Sequence, residues 1–318
     1  MNFSKVKLVV CIGLLLVNIV FAFMTVRLVG NKNYISEDEV VLAQKHLAKN
    51  GITFSFDKQA RRLYDLPIYS IEKSASDGIP AIYKRMTEVF FDEPTEESDY
   101  IKTPDGYSVS VKNEKGILVG TSSLLGGNRF ECYREDAVGS REIREISMLP
   151  CVLYLSKEKS ERTDLALNYV EKALRGNGIR YTYCGEREYD NGSIVSFAAE
   201  LSDTAVMNFY LNVYVKKSKI QCVIGCIAEG NAEKKYGCDI IDSIDILYML
   251  RDEISEKINS LTVENIRINK IHMVYKLYGH SPTEDYLVPT WVIEYTDKNG
   301  EVEIVSMDAV TGKNTESL

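Results

Sequence analysis

Histidine is scarce in this chain. His46, His272 and His280 are the only three in 318 residues, and they are scattered, so no H-E-x-x-H helix can be written from them. G-x-S-x-G, the G-x-x-x-x-G-K-[ST] phosphate loop and C-x-x-C are missing as well. With them go the signatures of serine hydrolases, P-loop nucleotidases and zinc ribbons. A basic excess is also missing. Lys5, Lys7 and Arg27 fall in the first thirty residues, and the rest carries 35 basic against 46 acidic side chains, a net charge of about −11. That balance argues against a nucleic-acid partner and against an ectodomain lying flat on anionic lipid. The seven cysteines lack the spacing of a dense disulfide framework. Cys132, Cys151, Cys184, Cys222, Cys226 and Cys238 read either as pairs formed in an oxidising compartment or as free thiols packed as small hydrophobes.

Charge is absent altogether from residues 8–26, LVVCIGLLLVNIVFAFMTV. Nineteen helical residues span close to the ~30 Å hydrocarbon core of a bilayer, so this run is expected to cross a membrane once. A cleaved signal peptide is the other reading, since Val20-Phe21-Ala22 places small residues where a peptidase could cut. The run exceeds the usual apolar stretch of about 7 to 15 residues and continues past that site, which favours an uncleaved anchor. Cys11, Leu15, Asn18, Ala22 and Thr25 recur at steps of four and three, a stripe of mostly small or polar groups. Helices associate in lipid through close packing and hydrogen bonds rather than apolar burial. The stripe is therefore the candidate partner-binding surface, with Asn18 most in need of a partner. The weak bias of basic residues places the amino terminus in the cytoplasm and the rest outside.

Ser36 and Glu39 form a capping box and Asn50-Gly51 a left-handed stop, predicting a helix over 37–49. Ile52, Phe54 and Phe56 alternate as a strand, another follows at 66–71, and Pro80 opens a helix bearing Ile82, Met86, Val89 and Phe90 on one face. Strands are expected at 107–111 and 117–119. Residues 124–128 and 131–144 carry no clear pattern. After a helix over 163–175 come strands at 179–184, 194–201, 207–215 and 220–228, with Asp190-Asn191-Gly192 as a hairpin signal. Tyr210 and Tyr214 lie on the polar side of the third of these, a second candidate binding surface, since tyrosine is enriched at interfaces. A helix carrying Ile244, Leu247, Leu250, Ile254, Ile258 and Leu261 precedes strands at 271–278, 290–296 and 301–307. Trp291 and Tyr295 read as sheet core, as do Cys222 and Cys226.

The fold class is α+β: an anchor over 1–29, then two extracytoplasmic domains, 30–157 and 158–318, each an antiparallel sheet with helices on one face. Helix, meander, second helix and closing strands recur in both halves, the pattern of an internal duplication.

The opening MNFSKVKLVVCIGLLLVNIVFAF, the helix entry YISEDEVVLAQKHLAKNGI and the closing LVPTWVIEY with SMDAVTGK resemble the YycI/YycH regulatory proteins, nearer to YycI in length. The final D-A-x-T-G also resembles the ends of PepSY-type domains. The resemblance implies a single-span, non-enzymatic partner of a cell-wall sensor histidine kinase and of a YycH-like protein, with no cofactor or metal. The other readings are an extracytoplasmic ligand- or peptide-binding sensor and, less favoured, a secreted hydrolase built on two carboxylates.

Overall fold

The computed structural model describes residues 33–72, 79–96, 99–125, 129–135, 160–189, 191–228, 232–257, 265–279 and 284–315. The expected anchor, with Cys11, Leu15, Asn18, Ala22 and Thr25, lies outside them. Among the described residues no helix is long and apolar enough to cross a membrane.

In chain order the elements are α1 (Glu37–Lys49), β1 (Ile52–Thr53), β2 (Pro67–Glu72), α2 (Ala81–Phe91), β3 (Tyr100–Thr103), β4 (Gly106–Lys112), β5 (Leu118–Leu125), β6 (Arg129–Arg134), α3 (Glu161–Ala173), β7 (Arg180–Tyr189), β8 (Gly192–Leu201), β9 (Thr204–Lys216), β10 (Lys219–Cys226), β11 (Ala232–Gly237), α4 (Ser243–Lys257), β12 (Ile266–Gly279), β13 (Glu284–Thr296) and β14 (Val302–Asp308). Strand pairing is mostly antiparallel; β12 pairs in parallel with β1 and, at Tyr275 opposite Val206, with β9. The fold class is thus α+β.

The expected division into sequential domains is not what the packing produces. One compact unit draws on residues 1–66, 238–272 and 290–318, and the other on 67–237 and 273–289. The units are nested in sequence, since α1 and α4, about two hundred residues apart in the chain, belong to the same unit.

In the first unit α1 starts as expected: Ser36 N donates to Glu39 Oε2 at 2.9 Å and Glu39 N to Ser36 Oγ at 3.2 Å. Its buried face is Val40, Ala43 and Leu47. The ring of His46 meets that of Tyr248 of α4 at 5.6 Å, and α4 buries Ile246, Leu247 and Leu250. Trp291, fully buried, donates from Nε1 to Ile241 O at 2.8 Å and sits edge-on to Tyr64. The D-A-x-T-G segment closes the unit by an aspartate turn. Asp308 Oδ1 accepts from Val310 N at 2.7 Å and Thr311 N at 2.9 Å, the side-chain mimicry of a backbone turn that favours Asp here. Gly312 follows at φ 70°, where an added Cβ would stand 2.1 Å from Met249 Sδ.

In the second unit the strands run β3-β4-β5-β6-β10-β9-β8-β7. This is a helix and four-strand meander written twice, α2 with β3–β6 and α3 with β7–β10. The two meet along β6 and β10, in register from Tyr133 opposite Cys222 to Arg129 opposite Cys226. Phe130, Cys132, Phe197, Leu211, Val213 and Val223 point from both meanders into one core with Tyr83, Met86, Phe90, Tyr169 and Val170 of the two helices. Each fully buried large apolar side chain there contributes about 1.5–3 kcal/mol. The helix-and-meander pattern thus occurs twice within this unit, between other bounds than the expected repeat of the two halves.

The tyrosine-bearing face is a correction. Ile194, Tyr214, Cys222 and Ile224 form a second small core, with Tyr214 only 2% exposed. Gly192 makes room for its ring, since a Cβ there would approach it to 2.8 Å. Tyr214 is thus a packing residue, while Tyr210 stays half-buried.

Gly225 lies where β10 runs closest to β9, and an added Cβ would fall 1.9 Å from the carbonyl oxygen of Tyr210, whereas one at Gly237 would meet nothing within 4 Å. Gly225→Ala should cost about 2 kcal/mol or more in denaturant unfolding, the scale of core overpacking, and Gly237→Ala less than about 0.5 kcal/mol.

Candidate functional site

The second unit contains a cleft of about 450 Å³, within the size range of small-molecule sites. It forms where the ladder between β6 and β10 stops. Past the Tyr133–Cys222 pair the register of β10 against β9 also shifts. There Arg134 replaces strand pairing with its side chain: Nε donates to Ile220 O at 3.0 Å and Nη2 to Phe90 O at 2.9 Å. Its guanidinium lies 5.3 Å from the centroid of the Phe90 ring and 6.0 Å from that of Phe91. A cation on the last carbonyls of α2 is also favoured by the helix dipole.

Three further elements complete the walls. α2 ends at Asp92, left-handed at φ 59°, an exposed residue of the lining. α3 contributes Leu165, Asn168, Tyr169 and Lys172. It is fixed at one end by Ser160 and Thr163, each donating to Glu186 Oε2 at 2.6 Å, and against α2 by Tyr169 donating to Met86 O at 3.3 Å. Burial raises the Glu186 pKa, but the hydrogen bonds from Ser160, Ser193 and Thr163, with Arg162 nearby, bring it below the ordinary value. The two-residue turn between β9 and β10 adds Ser218 and Lys219. Its residues Lys217 and Ser218 are both left-handed, at φ 49° and 58°, as a type I′ hairpin turn requires. The cleft therefore gathers Arg134, Lys172 and Lys219 against the single carboxylate of Asp92. Among the described residues none of the four forms an ion pair.

The sequence-stated candidates do not converge on this cleft. Tyr210 and Tyr214 are not in its lining, the stripe at 11–25 lies outside the described residues, and so does His280. Trp291 and Tyr295 are core, at 0% and 8% exposure. The five described cysteines form no disulfide. Burial pushes the Cys222 thiol up to about 12, and raises those of Cys132, Cys226 and Cys238, which disfavours the nucleophilic thiolate at neutral pH. Among the described residues no group of three or more His, Cys, Asp or Glu side chains is placed to hold a metal ion. Sequence reasoning missed the cleft because its cations come from three separate elements. The one local signal is the basic run Lys216-Lys217-Ser218-Lys219 between the strands expected at 207–215 and 220–228.

No protein-family model and no curated protein matches the chain. Among solved structures, the crystal structure of an uncharacterized protein from Eubacterium rectale ATCC 33656 is similar over 83% of this chain and 90% of its own, with a TM-score of 0.50 and 11% identity. That likeness is one of fold. The C-terminal domain of YpeB from Bacillus megaterium aligns over 75% of this chain and 96% of its own, at a TM-score of 0.35 and 10% identity.

In the first unit both ring nitrogens of His272 of β12 are buried and, among the described residues, have no hydrogen-bond partner. Burial and the nearby Lys270 hold its pKa down to about 4, with Asp57 opposing. A depressed histidine pKa means that the unfolded chain binds the extra proton between about pH 6.5 and 4, so stability is full above that window and is lost as pH falls through it. The loss should reach about 2 kcal/mol by pH 5. His272→Phe should flatten this acid limb in pH-dependent denaturant unfolding, and an unchanged limb would contradict the assignment.

Proposed function

We propose that this chain is a membrane-anchored extracytoplasmic regulator that acts by binding, contacting a sensor histidine kinase of cell-wall metabolism and a YycH-like single-span partner. The observation that carries the reading is the uncharged run over 8–26 with its stripe of Cys11, Leu15, Asn18, Ala22 and Thr25, placed ahead of a folded α+β portion. The resemblance of the opening and closing segments to the YycI/YycH proteins supports it. In this reading the signal passes laterally, between membrane helices or between ectodomains. Packing of the anchor on a kinase helix shifts the kinase between two arrangements to the extent that the contact energy differs between them.

A second reading, an extracytoplasmic ligand-binding sensor, is favoured by the cleft of the second unit. The two are compatible, since a ligand bound in the folded portion is an input that an anchored regulator can report.

Asn18→Leu removes the polar group of the stripe and adds apolar bulk that lipid accepts. Affinity purification of the tagged full-length protein from detergent-solubilised membranes should recover a histidine kinase and a second single-span protein. The variant should lose most of both while its thermal unfolding is unchanged. Equal recovery with the variant, together with unchanged kinase output, would sink the proposal.

A further inference from the structure

Three cations share the cleft of the second unit with one carboxylate, in a chain whose overall charge is −8. Proteins ordinarily disperse like charges or pair them, because close like charges repel by an amount that rises as water is excluded. Here pairing is available elsewhere and is used: Lys84 reaches Glu88 at 4.0 Å, Arg129 reaches Glu131 at 2.6 Å and Arg180 reaches Glu200 at 3.1 Å. Lys172 and Lys219 have no such partner among the described residues, and Asp92 does not neutralise them.

Arg134 differs from the two lysines in being built in. Its Nε and Nη2 are committed to Ile220 O and Phe90 O, and its guanidinium carbon lies 5.3 Å from the centroid of the Phe90 ring. The guanidinium is therefore held in one orientation with Nη1 uncommitted, while the lysines stand exposed at the rim. A guanidinium held by two carbonyls, with two exposed ammonium groups in the same lining, suits a tetrahedral oxyanion: the planar donor sets the geometry and the lysines, on flexible stems, follow as point charges. The remaining lining is mixed: Val89, Leu165 and Ile220 are apolar, Asn168 and Ser218 are polar, and Asp92 can accept from a hydroxyl or amine.

We propose that this cleft is a binding site for a phosphate-bearing ligand, its phosphoryl oxygens held by Arg134, Lys172 and Lys219 and its hydroxyl- or amine-bearing end by Asp92. The shared chemistry is the phosphoryl group, whether on a soluble phosphate ester or on the headgroup of a phospholipid. The site does not depend on whether the anchor meets a kinase, and its test involves no kinase.

The test is isothermal titration of the full-length chain in an uncharged detergent at low ionic strength, with glycerol phosphate and, separately, with water-soluble dihexanoyl phosphatidylglycerol. The comparison is the double variant K172Q/K219Q. Both lysines are exposed, so the variant should unfold thermally as the parent does. The site predicts binding by the parent and an affinity about tenfold lower in the variant, roughly 1.4 kcal/mol, with the difference shrinking as salt screens the charges. Tighter binding of the ester identifies a soluble ligand and tighter binding of the short-chain lipid a headgroup; both support the site. Absence of binding by the parent, or equal affinity of parent and variant, would overturn it.

Discussion

Five paired positions between β6 and β10, from Tyr133 with Cys222 to Arg129 with Cys226, hold the larger unit together. Each meander alone has an apolar face covered by a single helix. Without the β6–β10 ladder, α2 would cover only β3–β6 and α3 only β7–β10, and Phe130, Cys132, Leu211 and Val223 would border solvent rather than one another. Joined, the two helices lie on one eight-strand surface and pack together, with Arg85 of α2 donating to the carbonyl of Arg175 just past α3. The same pairing removes free strand edges at β6 and β10, whose unpaired backbone groups would otherwise template pairing with another chain.

The cleft is a consequence of where that ladder ends. Strands of unequal reach leave backbone groups unpaired at the junction, and buried carbonyls need donors. Arg134 supplies two, to Ile220 and Phe90, and in doing so brings a cation to a place walled by α2, α3 and a hairpin turn. Structural need thus accounts for Arg134, but not for Lys172 or Lys219, which satisfy no carbonyl and no carboxylate among the described residues. Those two are where a binding role enters.

Local signals were legible wherever the residues concerned act on their neighbours. The capping box at Ser36 and Glu39 gave α1 its start, and the alternation along β9 and the Asp190-Asn191-Gly192 hairpin gave the long strands. Residues 129–134 were opaque because Glu131 sits mid-strand, where its ion pair with Arg129 at 2.6 Å and a hydrogen bond from Tyr133 Oη at 3.3 Å make that burial tolerable. Strand β11 was opaque for the opposite reason: Glu233, Lys234, Lys235 and Tyr236 are all exposed on an edge, so no alternation is required. Tyr214 was misplaced because period-two patterning assigns a polar face by residue type, and tyrosine is buried when a glycine such as Gly192 opens space beside it. The nesting of the units and the cleft depend on contacts between distant segments, which no local pattern encodes.

Native-state hydrogen exchange of the full-length chain tests the joining of the two meanders directly, through the amides of β6 and β10 beside those of α2, α3, β4 and β8. A single shared core predicts that β6 and β10 amides open only with the helices and inner strands, at one common, highest free energy. Separate opening of residues 81–134 and 161–226, with the β6–β10 amides exchanging at the lower of two free energies, would contradict it.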